Sequence, residues 1–476
     1  MNYILDEKLL HQKYFEDISK IPHGSYNEKE LSDYLVEFAK NLSLKVKQDE
    51  MGNVIVYKEA SKGYENHPII ILQSHIDMVC EKNACSNHNF LTDPIALYIE
   101  DGYVKAKETT LGADDVYGVA YMMAILEDNK LLHPPLECVF TVCEEMGLLG
   151  VQELKKEDLQ GKKLINLDNG NDLYTYVSCA GGVRFAFSKE MAMESCSNPV
   201  YKFEVNGLYG GHSGGAIHQE RGNSNKIASR VLYHLNKKFG INLIDINGGL
   251  KDNAIPRECV VIFSSQGNKD EIIELVKLQE EIIRRELEFS DSGLSISISE
   301  EIATKMCAKK ISDEIVTMFY LLPNGFEHRN LHLETTSASQ NFGVIETENN
   351  IVKGAYTFRG ALDSYLDEEQ EIIINFCDIF GFQWECVSRH PTWEYEANSS
   401  MRETLKKVYR DFYKREMIER ATHGSLECGV FKKIIPDIDI VTIGAECYDA
   451  HTTTERMNLK SFDDTYLVLV KFLENL

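Results

Sequence analysis

The stretch IIILQSHIDMVC, residues 69–80, constrains the fold more than any other part of the chain. Four consecutive apolar residues, Ile69 to Leu72, read as a strand buried on both faces, since a half-exposed strand would alternate apolar with polar. The chain then turns polar through Gln73, Ser74 and His75, with Asp77 two residues on. In open α/β sheets ligands bind outside the carboxyl ends of the strands, so this boundary is where chemistry is expected. In extended backbone His75 and Asp77 face the same side, and a metal-binding His commonly has a carboxylate on its other ring nitrogen. A plain strand end with a solvated His would look the same on these residues alone.

The pattern recurs. Leu136 to Val142 is an apolar strand ending in Cys143-Glu144-Glu145, and Lys163 to Leu167 is another ending in Asp168. Leu111-Gly-Ala-Asp-Asp115 precedes a helix expected from about Val116 to Glu127. Earlier, helical spacing runs from Leu5 to Ile21, Ser25 and Glu28 form a capping box for a second helix, and Asp101-Gly102 marks a hairpin. Strands alternating with helices indicate an α/β sheet. Ser178–Gly182 reads as a flexible stretch suited to a hinge. From about Arg184 to Glu394 strands (Tyr201 to Val205, Val260 to Ser264, Leu294 to Ile298) alternate with long helices (Ser224 to Phe239, Glu271 to Leu287, Asp313 to Leu322), an α+β pattern. From about Ala397 the first pattern resumes, with a strand at Asp439 to Ile443. The expectation is an α/β catalytic domain, a mixed sheet flanked by helices, split into residues 1–182 and 397–476. An α+β lid domain, residues 183–396, is inserted between the two parts.

Composition narrows the function classes. At 476 residues the chain exceeds one compact core. A net charge of −25 weighs against nucleic acid or an anionic membrane as partner. Twelve cysteines without a CxxC pair fit free thiols in a reducing compartment. No signal-peptide core opens MNYILDEKLLHQKYF and no run of 18 apolar residues occurs, so a cytoplasmic location is expected.

The candidates for chemistry are His75, Asp77, Asp114, Glu144, Glu145, Asp168 and His451. Most end an apolar strand and Asp114 precedes a helix, so all can converge on one sheet edge. Histidine and carboxylate donors without thiolate suit zinc, manganese or cobalt at a catalytic site. The set is large enough for two ions ~3.5–4 Å apart sharing a carboxylate; the single-zinc HExxH motif is absent. Gly211-His212-Ser213-Gly-Gly215 offers a rival, since it fits the GxSxG of serine hydrolases and Asp449 and His451 follow in the order Ser, Asp, His. Such an elbow needs its serine directly between strand and helix. Here glycines 207, 210 and 211 intervene and helical periodicity resumes only near Ser224; a tight glycine loop is the plain alternative.

The segments SHIDMV, TTLGADD, CEEMGLLG, LINLD, CAGG, GGHSGGAIHQERGNSN, NAIPRE, HGSLECG and AHTTTE follow one another in this order. In these, over nearly its whole length, the chain resembles the bacterial aminoacyl-histidine (Xaa-His) dipeptidases, also called peptidase D. These are dizinc metallopeptidases akin to carnosinases, aminoacylases and glutamate carboxypeptidases. The resemblance implies that His75 and Asp168 hold one metal and Glu145 and His451 the other, with Asp114 bridging and Asp77 orienting His75. Glu144 would be the general base, and His212 would reach the reacting carbonyl from the second domain, often across a dimer. It also implies Asn253, His423 and Glu427 in the substrate pocket and a homodimer through the lid. Arg359, in TFRGALDS, suits the substrate's terminal carboxylate because a guanidinium matches a carboxylate bidentately, a surface Arg with a structural partner being the plain alternative. Three departures stand out: Asp115-Val116 where relatives have Asn-Gly, Cys143 where an acid often precedes the Glu pair, and HTTTE where HSPDE is usual. The activity implied is hydrolysis of unblocked dipeptides, Xaa-His among them. Deacylation of N-acyl amino acids on the same scaffold, or a non-catalytic peptide-binding role, remain the alternatives.

Overall fold

The computed structural model describes residues 3–476. These gather into two compact units: residues 3–179 with Trp393–Ala421 and Leu426–Leu476, and Ala180–Thr392 with Thr422–Ser425. Among the described residues no helix is long and apolar enough to cross a membrane.

The first unit is built on a six-stranded sheet in the order Lys45–Gln48, Val54–Lys58, Leu136–Thr141, Ile70–His75, Lys163–Asn166, Asp439–Thr442. The last four strands run parallel to one another, and the first two are antiparallel. Parallel strands need covering on both faces, and successive residues divide between two cores accordingly. Ile70, Leu72, Cys138 and Phe140 join the core of the helices Leu10–Ile18, Ala113–Glu127, Ser400–Tyr413 and Leu459–Glu474. Ile71, Val139, Leu164 and Ile440 join a smaller core with Val151, Val430 and Phe431. Ala113–Glu127 is buried on nearly every side, as a helix that is hydrophobic all round must be. The Asp101-Gly102 hairpin forms as expected: both residues have positive φ (51° and 81°), joining Leu97–Glu100 to Tyr103–Ala106.

The second unit carries a nine-stranded antiparallel sheet. One face, lined by Phe185, Phe187, Phe203, Val205, Val261, Phe263 and Phe342, packs under the helices Ser224–Phe239, Lys269–Glu286, Lys309–Leu321 and Asp363–Phe380. The intervening residues of Val200–Asn206 turn outward, where Lys202 pairs with Glu204 at 2.7 Å. Antiparallel strands with helices along one face make an α+β unit.

Two local expectations fail. Ser178–Gly182, expected to be flexible, is buried and mostly strand at the end of Tyr174–Cys179 and the start of Gly181–Glu190, although the division between the units falls inside it after Cys179; the Cys179 amide donates to Trp393 O at 3.0 Å. Ser25 and Glu28 do not form a capping box. The helix Lys29–Asn41 starts with Glu28 at its N-cap, yet no side chain caps it. Both side chains are engaged elsewhere.

Candidate functional site

In the first unit the polar strand ends converge. His75 closes its strand and is buried. Its Nδ1 lies 3.0 Å from the Asp77 main-chain oxygen and 3.4 Å from Asp77 Oδ1, while Nε2 lies 3.1 Å from Asp114 Oδ1. Asp114 stands in the non-helical first turn of Ala113–Glu127, with the regular helix resuming at Val116. Asp168 follows Lys163–Asn166, kept alongside His75's strand by the Leu167 amide on Gln73 O at 2.8 Å. His451, with φ 66°, sets Nε2 at 2.6 Å from Glu145 Oε1 and 3.4 Å from Asp114 Oδ2.

Ligand atoms of His75, Asp114 and Asp168 lie within 4.8 Å of one another. So do those of Asp114, Glu145 and His451, and those of His75, Glu144 and Glu145. Asp114 thus belongs to two groups at once, as a shared ligand must.

The electrostatics fit a cation site. Burial first, then neighbouring acids, pushes the Asp168 and Glu144 carboxyls well above their ordinary range. Burial acts the same way on Asp114, but hydrogen bonds from His451 and His75 win and hold it low. Those bonds, to Asp114 and Glu145, raise the His451 imidazole to about 11. Among the described residues no lysine or arginine forms an ion pair with these acids; their partners are the two imidazoles. Crowded carboxylates and imidazoles are the donor set of divalent metals. Asp115, the departure from Asn, donates no simple extra charge: burial and Asp168 push its carboxyl up while Ser74 Oγ donates to Oδ2 at 2.6 Å.

Side chains that the sequence did not single out hold this arrangement. Glu455, buried, accepts the amides of Leu111 (2.8 Å), Gly112 (3.0 Å) and Ala113 (2.9 Å), fixing the approach to Asp114. Its only signal was its place at the end of AHTTTE. Glu427, which the sequence did single out, is 1% exposed and close enough to raise the Glu144 and Asp168 carboxyls. It accepts from Gln73 Nε2 and, at 2.9 Å, Thr141 Oγ1, and burial raises its carboxyl to about 7.

The second unit gathers the other expected residues. His212 begins the short helix Ser213–Ala216, and its Nδ1 accepts the Gly214 and Gly215 amides, both at 3.2 Å. The ring proton of the neutral imidazole therefore sits on Nε2. A Cβ on Gly214 would stand 3.0 Å from the His212 ring and 3.3 Å from the Arg359 guanidinium carbon, so those two side chains are neighbours. Arg359 Nε is buried without a hydrogen-bond partner, and burial lowers its guanidinium to about 10. Asp252, the nearby acid, is taken by Arg184. Asn253 accepts the Ser213 amide on its carbonyl at 2.8 Å, and His423 Nε2 meets Ser339 Oγ at 2.6 Å.

Ser213 does stand between a two-residue strand and a helix, contrary to expectation, but none of Ser213, Asp449 and His451 makes a triad member's hydrogen bond among the described residues. The Ser213 Oγ is buried without a partner, His451 is bonded to Glu145, and Asp449 is bonded to Arg456.

Residues 71–475 match the model of peptidase family M20/M25/M40. The chain belongs to this family. It is 33% identical over 468 residues to the cytosol non-specific dipeptidase of Escherichia coli K12, covering 97% of this chain and 96% of that one. It superposes on the crystal structure of aminoacylhistidine dipeptidase from Vibrio alginolyticus with a TM-score of 0.89 at 31% identity, covering 99% and 97% of the two chains. Human carnosine dipeptidase 1 shares the fold alone, with a TM-score of 0.53 at 13% identity over 98% and 95%. The M20 chain described here is thus a metallopeptidase with an α/β catalytic unit and an inserted α+β unit.

Proposed function

We propose that the protein hydrolyses the peptide bond of unblocked dipeptides, Xaa-His among them, with two divalent ions held by the first unit. The observation that carries this is Asp114, shared between two groups of imidazole and carboxylate donors with which, among the described residues, no lysine or arginine forms an ion pair. His75 and Asp168 would hold one ion and Glu145 and His451 the other, with Asp114 between and Asp77 fixing His75 from behind. Zinc suits these donors, and manganese or cobalt would be accepted by the same set. Bound ions of this kind polarise the scissile carbonyl and lower the pKa of a water toward ~7.

Glu144 acts as general base. It takes a proton from the attacking water and passes it to the departing amine nitrogen. Glu144 and Glu145, although adjacent, do different work, because His451 engages Glu145 alone of the two. Arg359, whose buried Nε has no hydrogen-bond partner among the described residues, binds the substrate's terminal carboxylate in bidentate fashion. His212 donates its Nε2 proton to the developing oxyanion. Asn253, His423 and Glu427 line the substrate pocket. The family resemblance extends this reading to a homodimer through residues 183–396, which sedimentation equilibrium tests.

The substrate class is tested with Ala-His and N-acetyl-Ala-His presented to the same purified protein. Cleavage of the free dipeptide alone is expected. Cleavage confined to the acetylated compound would make the protein a deacylase.

A further inference from the structure

The four residues after the strand Leu136–Thr141 carry the two glutamates, and each of their amides is taken by a side chain from elsewhere in the first unit. Val142 N donates to Asn53 Oδ1 at 3.1 Å and Cys143 N to Glu28 Oε1 at 3.0 Å. Glu144 N donates to Asp77 Oδ1 at 2.9 Å, and Glu145 N to Asp77 Oδ2 at 3.3 Å. Cys143 has φ 50°, a left-handed conformation that a residue with a Cβ adopts only when its surroundings hold it there.

Glu28 does more than accept one amide, for the Cys143 thiol also donates to Oε1 at 3.0 Å. Glu28 is buried, no lysine or arginine forms an ion pair with it among the described residues, and it caps no helix amide. A buried carboxylate is costly unless its hydrogen bonds are strong, and among the described residues both bonds that its side chain accepts come from Cys143. Asn53 is anchored in turn, donating to Asp49 Oδ2 at 2.7 Å and Gly150 O at 2.9 Å. Ser25 Oγ donates to Asp77 Oδ2 at 2.8 Å.

We propose that Glu28, assisted by Ser25 and Asn53, is a positioning residue: a strap at the start of the second helix that fixes the turn carrying Glu144 and Glu145. Its effect on turnover rests on the dipeptidase reading; its effect on the backbone does not. Misplacing a catalytic group by about 1 Å costs up to ~10²-fold in rate, so the strap acts on kcat rather than on substrate affinity.

The test compares Glu28→Ala and Glu28→Gln with the wild-type metal-loaded protein. Three quantities are read: deuterium uptake of the peptide spanning 142–147, alkylation rate of Cys143 by peptide mapping, and kcat and KM on Ala-His. Glu28→Ala should speed uptake and alkylation and lower kcat about 10–100-fold, with KM within about threefold. Glu28→Gln keeps an acceptor oxygen and should recover most of the loss. If Glu28→Ala fails to fold, Glu28→Asp, one methylene short, should show the same directions. Wild-type uptake, alkylation and kcat in Glu28→Ala would overturn the proposal. So would an equal kcat loss in the Ala and Gln variants that tracks global unfolding. If the wild type cleaves no dipeptide, the functional reading fails, while uptake and alkylation still decide the strap.

Discussion

Removing the carboxylate of Glu455 should damage both stability and metal affinity. Its two oxygens accept three successive amides at 2.8–3.0 Å in a buried position, just before Asp114. In Glu455→Ala those amides lose their acceptors, and a buried unsatisfied donor costs about 1–3 kcal/mol. The three are neighbours and do not add, and the space left by the side chain admits water that satisfies one or two. The net loss should be about 3 kcal/mol. The loop ending in Asp114 then loosens, and loss of such outer support typically weakens metal binding about 10–100-fold, or ~1.4–2.7 kcal/mol. Glu455→Gln can accept through one oxygen only and should fall between. Urea denaturation of the metal-stripped protein reads the first effect, and zinc competition against a chelator reads the second. Wild-type midpoint and zinc affinity in Glu455→Ala would refute the reasoning.

Other substitutions separate the proposed roles. Glu144→Gln should retain its metal by elemental analysis yet lose about 10²–10⁴-fold in kcat on Ala-His; undiminished turnover would remove it as the base. Arg359→Ala should raise KM for Ala-His about 10–100-fold, the worth of a charged hydrogen-bonded pair at about 1.5–3 kcal/mol. Arg359→Lys should recover only part of this, because the ammonium lacks the planar fork. Burial, then Arg359, lowers His423 to about 3. The unfolded chain, with a pKa of about 6.5, therefore binds more protons between those values. The stability tied to neutral His423 is complete above about pH 6.5 and is lost as pH falls toward 3. His423→Gln should flatten this acid limb by about a few kcal/mol; an unchanged limb in urea midpoints at about pH 4.5 and 7.5 would count against it.

What the sequence disclosed follows from how local each signal is. The run Ile69 to Leu72 announced a strand covered on both faces, and its residues do divide between two cores. The helix Ser224–Phe239 was readable to its ends because its apolar stripe is unbroken. Nothing in 335–360 read as a strand, yet Thr335–Glu348 and Ile351–Gly360 form a long antiparallel pair in the second unit. Their buried positions include Ser337, Ser339, Asn341 and Thr357, and a register shift between Phe342 and Val344 breaks the alternation. His75, Glu144, Glu145 and Asp168 were legible because they follow apolar strands, and Asp114 because it opens a helix; His451, in a turn, was legible only through the family resemblance. The residues that hold them were not: Glu28 meets Cys143 across 115 positions, and Glu455 meets Leu111 across 344. Glu28 even spelled a plausible capping box with Ser25, a local reading displaced by two contacts made at long range.

The central claim is that two ions, shared through Asp114, make this chain a dipeptidase. Its most direct test is to strip the protein of metal and follow Ala-His hydrolysis as zinc is returned in steps. Activity should be absent at the start and rise to a plateau at two equivalents per chain. Full hydrolysis without metal, or a plateau reached at one equivalent, would contradict it.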